Sequence, residues 1–321
     1  MPSDTKINGN FKGKDILSLN QFTPGDIKLL FKHANSMKQI FINAQPSDLL
    51  KGNIVALIFY EPSTRTFNSF AAAIKQLGGA TIENQNPQQN SSVAKGETLE
   101  DTIRVLEAYS DAIVIRHPLS GTSSKAAEAA KFVPIINAGD GIEEHPTQAL
   151  LDLYTIKQKF QRLENLTILF AGDMLNGRTV HSLLRGLSLF KNNTAYLLSP
   201  KSLKLSKTDR EGFQNRGVKL IEITSEKDIP KKADVWYWTR VQKERFANLE
   251  DYEKVKNTFV VTKEFLQTYG NENMILMHPL PRVGEILPEV DSDKRAVYLT
   301  SQIRSGVYVR MALFALVLGK L

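Results

Sequence analysis

The sequence predicts an α/β protein of two doubly wound parallel-sheet domains, joined by helices, with the active site in the cleft between them. Short apolar runs alternate with longer segments of helical periodicity, which is the pattern of parallel sheets covered by helices. The length of 321 residues favours two domains over one. Arginines follow several of the predicted strands, where ligand sites of such sheets gather. We place the domains at 1–148 and 149–302, with a C-terminal helix, 303–321, that packs back on the first domain.

The first domain opens with a flanking helix whose start carries a clear signal. Thr23 is suited to the N-cap and Pro24 to the first helical position. The continuous apolar run IVALIFY at 54–60 predicts a buried strand, followed by a loop and a helix that ends at Gly78-Gly79. Further strands are expected at 112–115 and 133–136, helices near 98–109, 124–131 and 146–160, and an exposed polar loop at 83–97.

The second domain repeats the alternation of strands and helices. The run LTILFAG at 166–172 predicts its first strand, and a helix follows from about 178 to 190. Other strands are expected at 195–198, 218–223, 235–238 and 274–277. The last helix is apolar on most faces, so we expect it to be buried.

Composition narrows the class of protein. The chain has no cysteine, which excludes a disulfide framework, a thiolate nucleophile and a Cys-ligated zinc, and which fits a reducing cytoplasm. Lys plus Arg number 41 against 34 Asp plus Glu, a net charge of +7. That surplus leaves nucleic acid, an anionic membrane surface and a small anionic substrate open as partners. The polar start predicts no signal or transit peptide, and the late apolar stretch, interrupted by Arg310, is too short to span a bilayer.

The strongest local motif lies between the strand at 54–60 and its helix. Ser63, Thr64, Arg65 and Thr66 bring hydroxyls, a guanidinium and the unpaired N–H groups of a helix start together. Those are the groups that a phosphate dianion requires. An ordinary helix N-cap explains the same residue types equally well.

Three of the five histidines stand in His-Pro pairs, at His117, His145 and His278. Proline pushes the preceding residue to an extended conformation, so these imidazoles should project from strand ends and loops. A three-His metal site stays an alternative, although no pair shows the i,i+4 spacing of helical ligands. His33 and His181 are expected to be ordinary, partly buried side chains.

Two glycine-containing segments imitate nucleotide motifs without satisfying them. The segment 172–179 resembles a P-loop, but Arg178 replaces the lysine that reaches the phosphates. Arg178 at a helix start is better suited to a bidentate grip on a carboxylate. The segment 137–141 lacks the third glycine of a dinucleotide motif, and we interpret it as a turn with positive φ angles.

Two more strand-end segments are rich in donors. Arg240 and Gln242 follow the strand VWYWT, and HPLPR at 278–282 follows MILM. A solvated charge run and a Pro-rich turn are the structural alternatives. Arginines after four separate strands, at 65, 116, 178 and 240, together favour a cleft for a multiply charged anion.

In order along nearly the whole chain, seven segments resemble the catalytic chains of aspartate carbamoyltransferases, within the aspartate/ornithine carbamoyltransferase superfamily. They are FYEPSTRTFNSF, SSVAKGETLEDTI, RHPLSG, NAGDGIEEHPTQALLDLYTI, GRTVHSL, TRVQKER and HPLPRVGEI. The resemblance implies transfer of the carbamoyl group of carbamoyl phosphate to the α-amine of L-aspartate, giving N-carbamoyl-L-aspartate and phosphate, early in pyrimidine biosynthesis. It implies no metal or organic cofactor, no nucleic acid and no membrane.

The resemblance also implies that the first domain binds carbamoyl phosphate, and it implies roles for individual residues in this binding. The phosphate would be held by Ser63, Thr64, Arg65, Thr66 and Arg116. Thr66, Arg116 and His145 would polarise the carbamoyl carbonyl. The amino group would be oriented by Gln148 and by the segment Leu280-Pro281, through the Leu280 main-chain carbonyl.

For the second domain, the resemblance implies aspartate binding by Arg178, Arg240 and Gln242. Ser91 and Lys95 would enter the active site of a neighbouring subunit in a homotrimer with shared sites, to which regulatory chains could bind. Glu61, Arg178 and Arg245 resemble charges that pair between domains in a closed, substrate-bound form.

Departures from the family pattern stand at Phe67, where a basic residue is common, and at Leu175-Asn176, which replace a frequent Lys-Tyr or Lys-His. The alternative is an ornithine or other amino-acid carbamoyltransferase. Ornithine enzymes use a cysteine in a His-Cys-Leu-Pro segment, and this chain has His278-Pro279-Leu280-Pro281 there. The sequence therefore favours aspartate.

Overall fold

The computed structural model describes residues 6–246 and 248–321. The chain divides into two compact units, one formed by the residues up to Tyr154 with Arg304–Leu321 and the other by Thr155–Ile303. The sequence placed these boundaries after residues 148 and 302. The first boundary lies later because one continuous helix, which begins at Pro146, runs across it.

The first unit contains a parallel sheet with the strand order β2-β1-β3-β4. Its strands are β1 (Ile54–Phe59), β2 (Ala80–Gln85), β3 (Ala112–His117) and β4 (Ile135–Asp140). The central strands are buried almost throughout, and Ile58, Ile113 and Ile135 belong to one apolar cluster. Burial on both faces explains why β1 and β3 are continuous apolar runs.

The second unit contains a parallel sheet with the strand order β7-β6-β5-β8-β9. Its strands are β5 (Thr167–Ala171), β6 (Thr194–Leu198), β7 (Lys219–Ile223), β8 (Val235–Trp238) and β9 (Ile275–Met277). Trp236 and Trp238 are fully buried and pack against Phe265. With two parallel sheets flanked by helices, the predicted α/β class with two parallel-sheet domains is confirmed.

Helices connect the strands in both units. In chain order they are α1 (Pro24–Ile42), α2 (Thr64–Gln76), α3 (Pro87–Asn90), α4 (Leu99–Glu107), α5 (Thr122–Ala129), α6 (Pro146–Phe160), α7 (Arg178–Leu187), α8 (Lys207–Asn215), α9 (Leu249–Val255), α10 (Lys263–Tyr269) and α11 (Ser301–Val317). Short 3-10 helices cover Leu19–Gln21, Ser92–Lys95, Lys201–Leu203, Glu226–Asp228, Lys243–Arg245 and Pro288–Ser292. The predicted N-cap of α1 is confirmed, since the Thr23 side chain accepts from the Asp26 amide.

The sequence analysis missed or misassigned several elements. Strand β2 and two short helices occupy part of the segment 83–97 that was expected to be a loop. Because β2 is a polar, half-exposed edge strand, it lacks the apolar run by which the other strands were found. Residues 137–140, expected in a turn, continue β4, although Gly139 and Gly141 do have positive φ angles. Helices α8, α9 and α10 were not predicted.

The final helix α11 is apolar and returns to the first unit from Arg304 onward. Its one deeply buried cation, Arg310, is 3% exposed. Within residues 6–246 and 248–321, no helix is both long and apolar enough to cross a membrane.

Candidate active site

The predicted phosphate and carbonyl residues of the first unit all follow the carboxyl ends of neighbouring strands. The segment 63–66 follows β1, Arg116 lies at the end of β3, and His145 follows β4. Since β1, β3 and β4 are adjacent and parallel, these ends meet at one edge of the sheet. The fold thereby brings side chains together that lie up to about eighty residues apart, as for Thr66 and His145 (|i−j| of 79).

The N-terminus of α2 has the geometry of an anion site. Ser63 is its N-cap residue, with an extended backbone (φ −157°, ψ 92°), and its side chain makes no capping hydrogen bond. The ordinary N-cap alternative requires that bond. Thr64 and Arg65 are exposed, and the first amides of a helix have no partner within the helix. A phosphate would therefore meet amide donors, hydroxyls and a guanidinium at one helix end.

The carbonyl-polarising candidates contact one another. Thr66 Oγ1 and His145 Nε2 are 3.4 Å apart, and both side chains are buried. Arg116, only 8% exposed, pairs through Nη2 with Glu61 Oε2 at 2.9 Å. Its Nη1 also donates to the Ala138 carbonyl oxygen at 3.4 Å. The guanidinium is thus held in a fixed place at the strand edge, and Glu61 has a partner within its own unit.

Gln148 lies on the first turns of α6 and contacts a residue that the sequence analysis missed. Its Nε2 donates to both carboxylate oxygens of Asp152, at 3.1 and 3.2 Å. The i,i+4 spacing of the two residues on a predicted helix was the available signal. Asp140 was also missed. Its carboxylate accepts from the amides of Thr122 and Ser123 and from the Ser123 hydroxyl, which joins the end of β4 to α5.

The carboxylate-binding candidates of the second unit surround the ends of β5 and β8. Arg178 is the first residue of α7 and is half-buried. Gln242 Nε2 donates to the Asn176 carbonyl oxygen at 2.9 Å, so the loops after the two strands are hydrogen-bonded together. Gly172 permits this approach: a Cβ there would lie 2.1 Å from the Thr239 carbonyl oxygen, and its φ is +113°.

Arg240 already grips a carboxylate. Its two terminal nitrogens pair with the two oxygens of Glu244, an exposed i,i+4 neighbour in the 3-10 helix Lys243–Arg245. The hydrogen bond to Glu244 raises the pKa of Arg240 and lowers the pKa of Glu244. This bidentate geometry is the one expected for recognition of a substrate carboxylate. The same contact agrees with the solvated charge run considered for this segment.

The turn at 278–281 is organised by His278, which was expected at a strand end and directly follows β9. Its side chain is buried, with 2% exposed. Its Nδ1 accepts from the Leu280 amide at 2.8 Å and its Nε2 lies 2.7 Å from Glu285 Oε1. The bond from the Leu280 amide requires an unprotonated Nδ1, so Nε2 carries the proton that it donates to Glu285. Leu280 has a left-handed backbone (φ +57°), and its peptide bond to Pro281 is cis.

The structure also places the residues expected at trimer contacts and the residues that depart from the family's sequence pattern. The Ser91 hydroxyl donates to the Pro87 carbonyl oxygen and accepts from the Val93 amide, while Lys95 is exposed on the 3-10 helix Ser92–Lys95. Phe67 is buried and packs edge-on against Phe59, with ring centroids 5.1 Å apart. At the other departure, Leu175 is 40% exposed, and the Asn176 side chain donates to the Asp173 carboxylate.

Histidines do not assemble a metal site in the part of the chain that the structure describes. There, no group of three or more His, Cys, Asp or Glu residues could hold a metal ion. His181, expected to be an ordinary side chain, has its Nε2 2.8 Å from the Met174 carbonyl oxygen. The three-His alternative therefore has no support within residues 6–246 and 248–321.

Comparison with known proteins shows the family to which the chain belongs. Residues 14–158 match the model of the aspartate/ornithine carbamoyltransferase carbamoyl-P binding domain, and residues 164–317 match that of the Asp/Orn binding domain. The chain belongs to the aspartate/ornithine carbamoyltransferase family.

Within the family, the resemblance to aspartate carbamoyltransferase catalytic chains is confirmed. The chain is 46% identical over 312 residues to the aspartate carbamoyltransferase catalytic subunit of Thermococcus kodakarensis, covering 97% of this chain and 99% of that one. It is 48% identical to the multifunctional protein pyr1-3 of Dictyostelium discoideum over 96% of its own length, but it spans only 14% of that protein.

Solved structures of aspartate transcarbamoylase from Trypanosoma cruzi are also similar. Two of them, one with carbamoyl phosphate and one with carbamoyl aspartate and phosphate, each match with a TM-score of 0.88 and 39% identity. Each match covers 96% of this chain and 97% of the other.

Proposed function

We propose that this chain transfers the carbamoyl group of carbamoyl phosphate to the α-amine of L-aspartate, giving N-carbamoyl-L-aspartate and phosphate. The comparisons assign it to the aspartate carbamoyltransferases, and the similar trypanosomal enzyme has been crystallised with the first substrate and with both products. One structural observation carries the mechanism: a helix N-terminus, Arg116 and His145 stand at one edge of a parallel sheet.

We assign the phosphate to the start of α2. Ser63, Thr64, Arg65 and Thr66 offer amide, hydroxyl and guanidinium donors, and the helix start favours negative charge. Arg116 would contribute a second guanidinium, which Glu61 now neutralises in part at 2.9 Å. A bound phosphate dianion would therefore compete with Glu61 for Arg116. Glu61 would then leave this ion pair and pair with another cation.

The carbonyl chemistry needs donors and no protein nucleophile. The neutral amine of aspartate attacks the carbamoyl carbon, and negative charge develops on the carbamoyl oxygen. Thr66, Arg116 and His145 would donate to that oxygen, and the contact between Thr66 and His145 sets two of the donors close together. The bond from carbon to the phosphate oxygen then breaks, and the leaving phosphate takes the proton of the amine.

The carboxylates of aspartate belong to the second unit in this proposal. Arg178, Arg240 and Gln242 follow β5 and β8, and Arg240 already binds a carboxylate through two nitrogens. We assign Glu244 as the internal partner of Arg240 that a carboxylate of the substrate would displace. The roles of Leu280 and Pro281 toward the carbamoyl amino group, and the placement of the active site between the two domains, stay predictions.

Assembly and compartment are further parts of the proposal. We expect a homotrimer in which Ser91 and Lys95 serve the site of a neighbouring subunit, supported by the exposure of Lys95 on a polar strand-end segment. The name of the archaeal relative, a catalytic subunit, supports the possibility of separate regulatory chains. A cytoplasmic location is expected, and imaging of the tagged chain would contradict it by showing any other compartment.

Substitution of Arg65 tests the assignment of the phosphate site. Arg65→Ala should lower kcat/KM for carbamoyl phosphate at least ~100-fold, since one preorganised donor to a developing charge is worth about 3 kcal/mol. Arg104→Ala is the matched control, because Arg104 is exposed on α4 and pairs with nearby Asp101 on the same helix. Ureido-product formation is measured with both variants. A folded Arg65→Ala protein with activity within threefold of Arg104→Ala would contradict the assignment.

A further inference from the structure

The orientation of the Gln148 amide is set by a buried carboxylate. Gln148 Nε2 donates to Asp152 Oδ1 at 3.1 Å and to Oδ2 at 3.2 Å. Asp152 is 0% exposed. An ionised carboxylate only accepts hydrogen bonds, so it can be satisfied by the NH₂ end of the amide and not by the oxygen. The amide oxygen of Gln148 is therefore the end left to face a ligand.

Arg310 is a buried positive charge that interacts with the carboxylate of Asp152. This guanidinium is 3% exposed, donates to the Ser69 hydroxyl at 2.8 Å and to the Thr147 hydroxyl at 3.1 Å, and lies 4.6 Å from the centroid of the Phe70 ring. Burial lowers the pKa of Arg310 to about 9, and the charge of Asp152 opposes that shift. Arg310 is thus a cation at neutral pH, and two opposite charges buried together stabilise each other.

Gln148 therefore differs from a freely rotating amide. Without Asp152, its oxygen and its NH₂ end would be exchangeable, and either could face the substrate. With Asp152 in place, exchange would put the amide oxygen against the two carboxylate oxygens that now accept from Nε2, where like partial charges repel. The residues that enforce this choice lie on α6 and α11, outside the phosphate-binding segment 63–66, although Arg310 also contacts Ser69 and Phe70 further along α2.

We propose that Asp152 is a positioning residue that presents the Gln148 oxygen to the amino group of the carbamoyl substrate and thereby selects carbamoyl over acetyl phosphate. The inference rests on the proposed function and on the role that the family resemblance implies for Gln148, which is to orient that amino group. Carbamoyl phosphate carries NH₂ where acetyl phosphate carries a methyl group. An amide oxygen accepts from NH₂ but is left unsatisfied against a methyl group, and sites built to bind such donors reject analogues that lack them.

Asp152→Asn is the direct test, because it keeps the shape and removes the acceptor-only character. The rates of N-carbamoyl-aspartate and N-acetyl-aspartate formation are measured from the two acyl phosphates with aspartate. In both reactions the amine attacks the acyl carbon and phosphate leaves. We expect the ratio of the two kcat/KM values to fall at least ~10-fold, about 1.4 kcal/mol of discrimination. Inhibition by inorganic phosphate should stay within about threefold of wild type, because phosphate does not use Gln148.

Two further variants keep the test decisive. Asp152→Asn alone leaves Arg310 buried without its counter-charge, so the neutral pair D152N/R310M is made as the fold-stable version. Gln148→Met removes the oriented oxygen and should lower the ratio to the same extent. A folded variant that keeps the wild-type ratio, or that loses both activities equally, would overturn the proposal. A wild-type ratio in Gln148→Met would also overturn it.

Failure of the proposed function would look different. In that case wild type would form no N-carbamoyl-aspartate from carbamoyl phosphate and aspartate. The selectivity proposal fails only when wild type is active and the ratio does not respond.

Discussion

At the scale of single residues, the contacts in the structure decided between two explanations that the motif at 63–66 left open. The sequence offered two explanations for Ser63, and the missing capping bond favours the anion site. The burial of His278 could not be predicted, since the following proline restricts the backbone but does not determine burial. Its partner Glu285 lies seven residues away in a turn, a spacing without a regular pattern. Asp152 offered the i,i+4 spacing to Gln148 in the sequence, but the hydrogen bonds of the structure were needed to identify it as a partner.

The pair His278 and Glu285 leads to a prediction at the residue scale. Burial raises the pKa of Glu285, but the hydrogen bonds from His278 and from the Val283 amide outweigh burial, so the pKa lies below its usual 4.5. Such a pair contributes stability above pH 4.5 that is lost as the pH falls through the lowered pKa of the folded state. His278→Asn can keep an acceptor for the Leu280 amide, whereas His278→Gln can keep a donor for Glu285.

These two variants should therefore fail in opposite ways. His278→Asn should lose about 1–3 kcal/mol of unfolding free energy, by leaving a buried carboxylate unsatisfied, and change kcat/KM little. His278→Gln should keep more stability but lose ~10-fold in kcat/KM, because the Leu280 turn is released. Urea unfolding and the ureido assay measure both quantities. Equal losses of both quantities in the two variants would contradict the assigned tautomer and the role of the turn.

At the scale of elements, the sequence predicted those strands that are buried on both faces of their sheet. Strands β1, β3 and β5 each contain a continuous apolar run, as strands buried on both faces do, so composition alone reveals them. Strand β2 is exposed at the sheet edge and its sequence, ATIENQ, has no apolar run. The polar Asn137–Asp140 segment is nevertheless buried as the end of β4, because its groups are bonded to Leu17, Thr122 and Ser123. Such pairing depends on contacts distant in sequence.

At the scale of the whole molecule, sequence order predicted the domain plan and left the assembly untested. The return of α11 to the first domain was expected from its apolar composition, and residues Arg304–Leu321 form one compact unit with the residues up to Tyr154. A single chain cannot reveal whether Lys95 serves a neighbouring subunit. The proposed trimer with shared sites nevertheless has a direct consequence for mixtures of variants.

Complementation tests that assembly. An Arg65→Ala chain and a Lys95→Ala chain are each expected to be inactive, but a mixed trimer contains one site with both residues intact. Random reassociation of equal amounts should restore roughly a quarter of wild-type activity. Arg65→Ala mixed with Arg116→Ala is the matched control, because both residues serve their own chain's site and no mixture repairs it. A trimer that shows no recovery, or a monomer by mass, would contradict shared sites.

The substrate assay with two amino acids tests the central claim most directly. The purified chain is incubated with carbamoyl phosphate and either L-aspartate or L-ornithine, and ureido product and phosphate are both quantified. We predict N-carbamoyl-L-aspartate and phosphate in equal amounts from aspartate, and at least ~100-fold less product from ornithine. Ornithine carries a side-chain ammonium group where aspartate carries a carboxylate, and the Arg178 and Arg240 guanidiniums would repel that cation. Citrulline formation from ornithine at a comparable rate, or no product from aspartate, would contradict it.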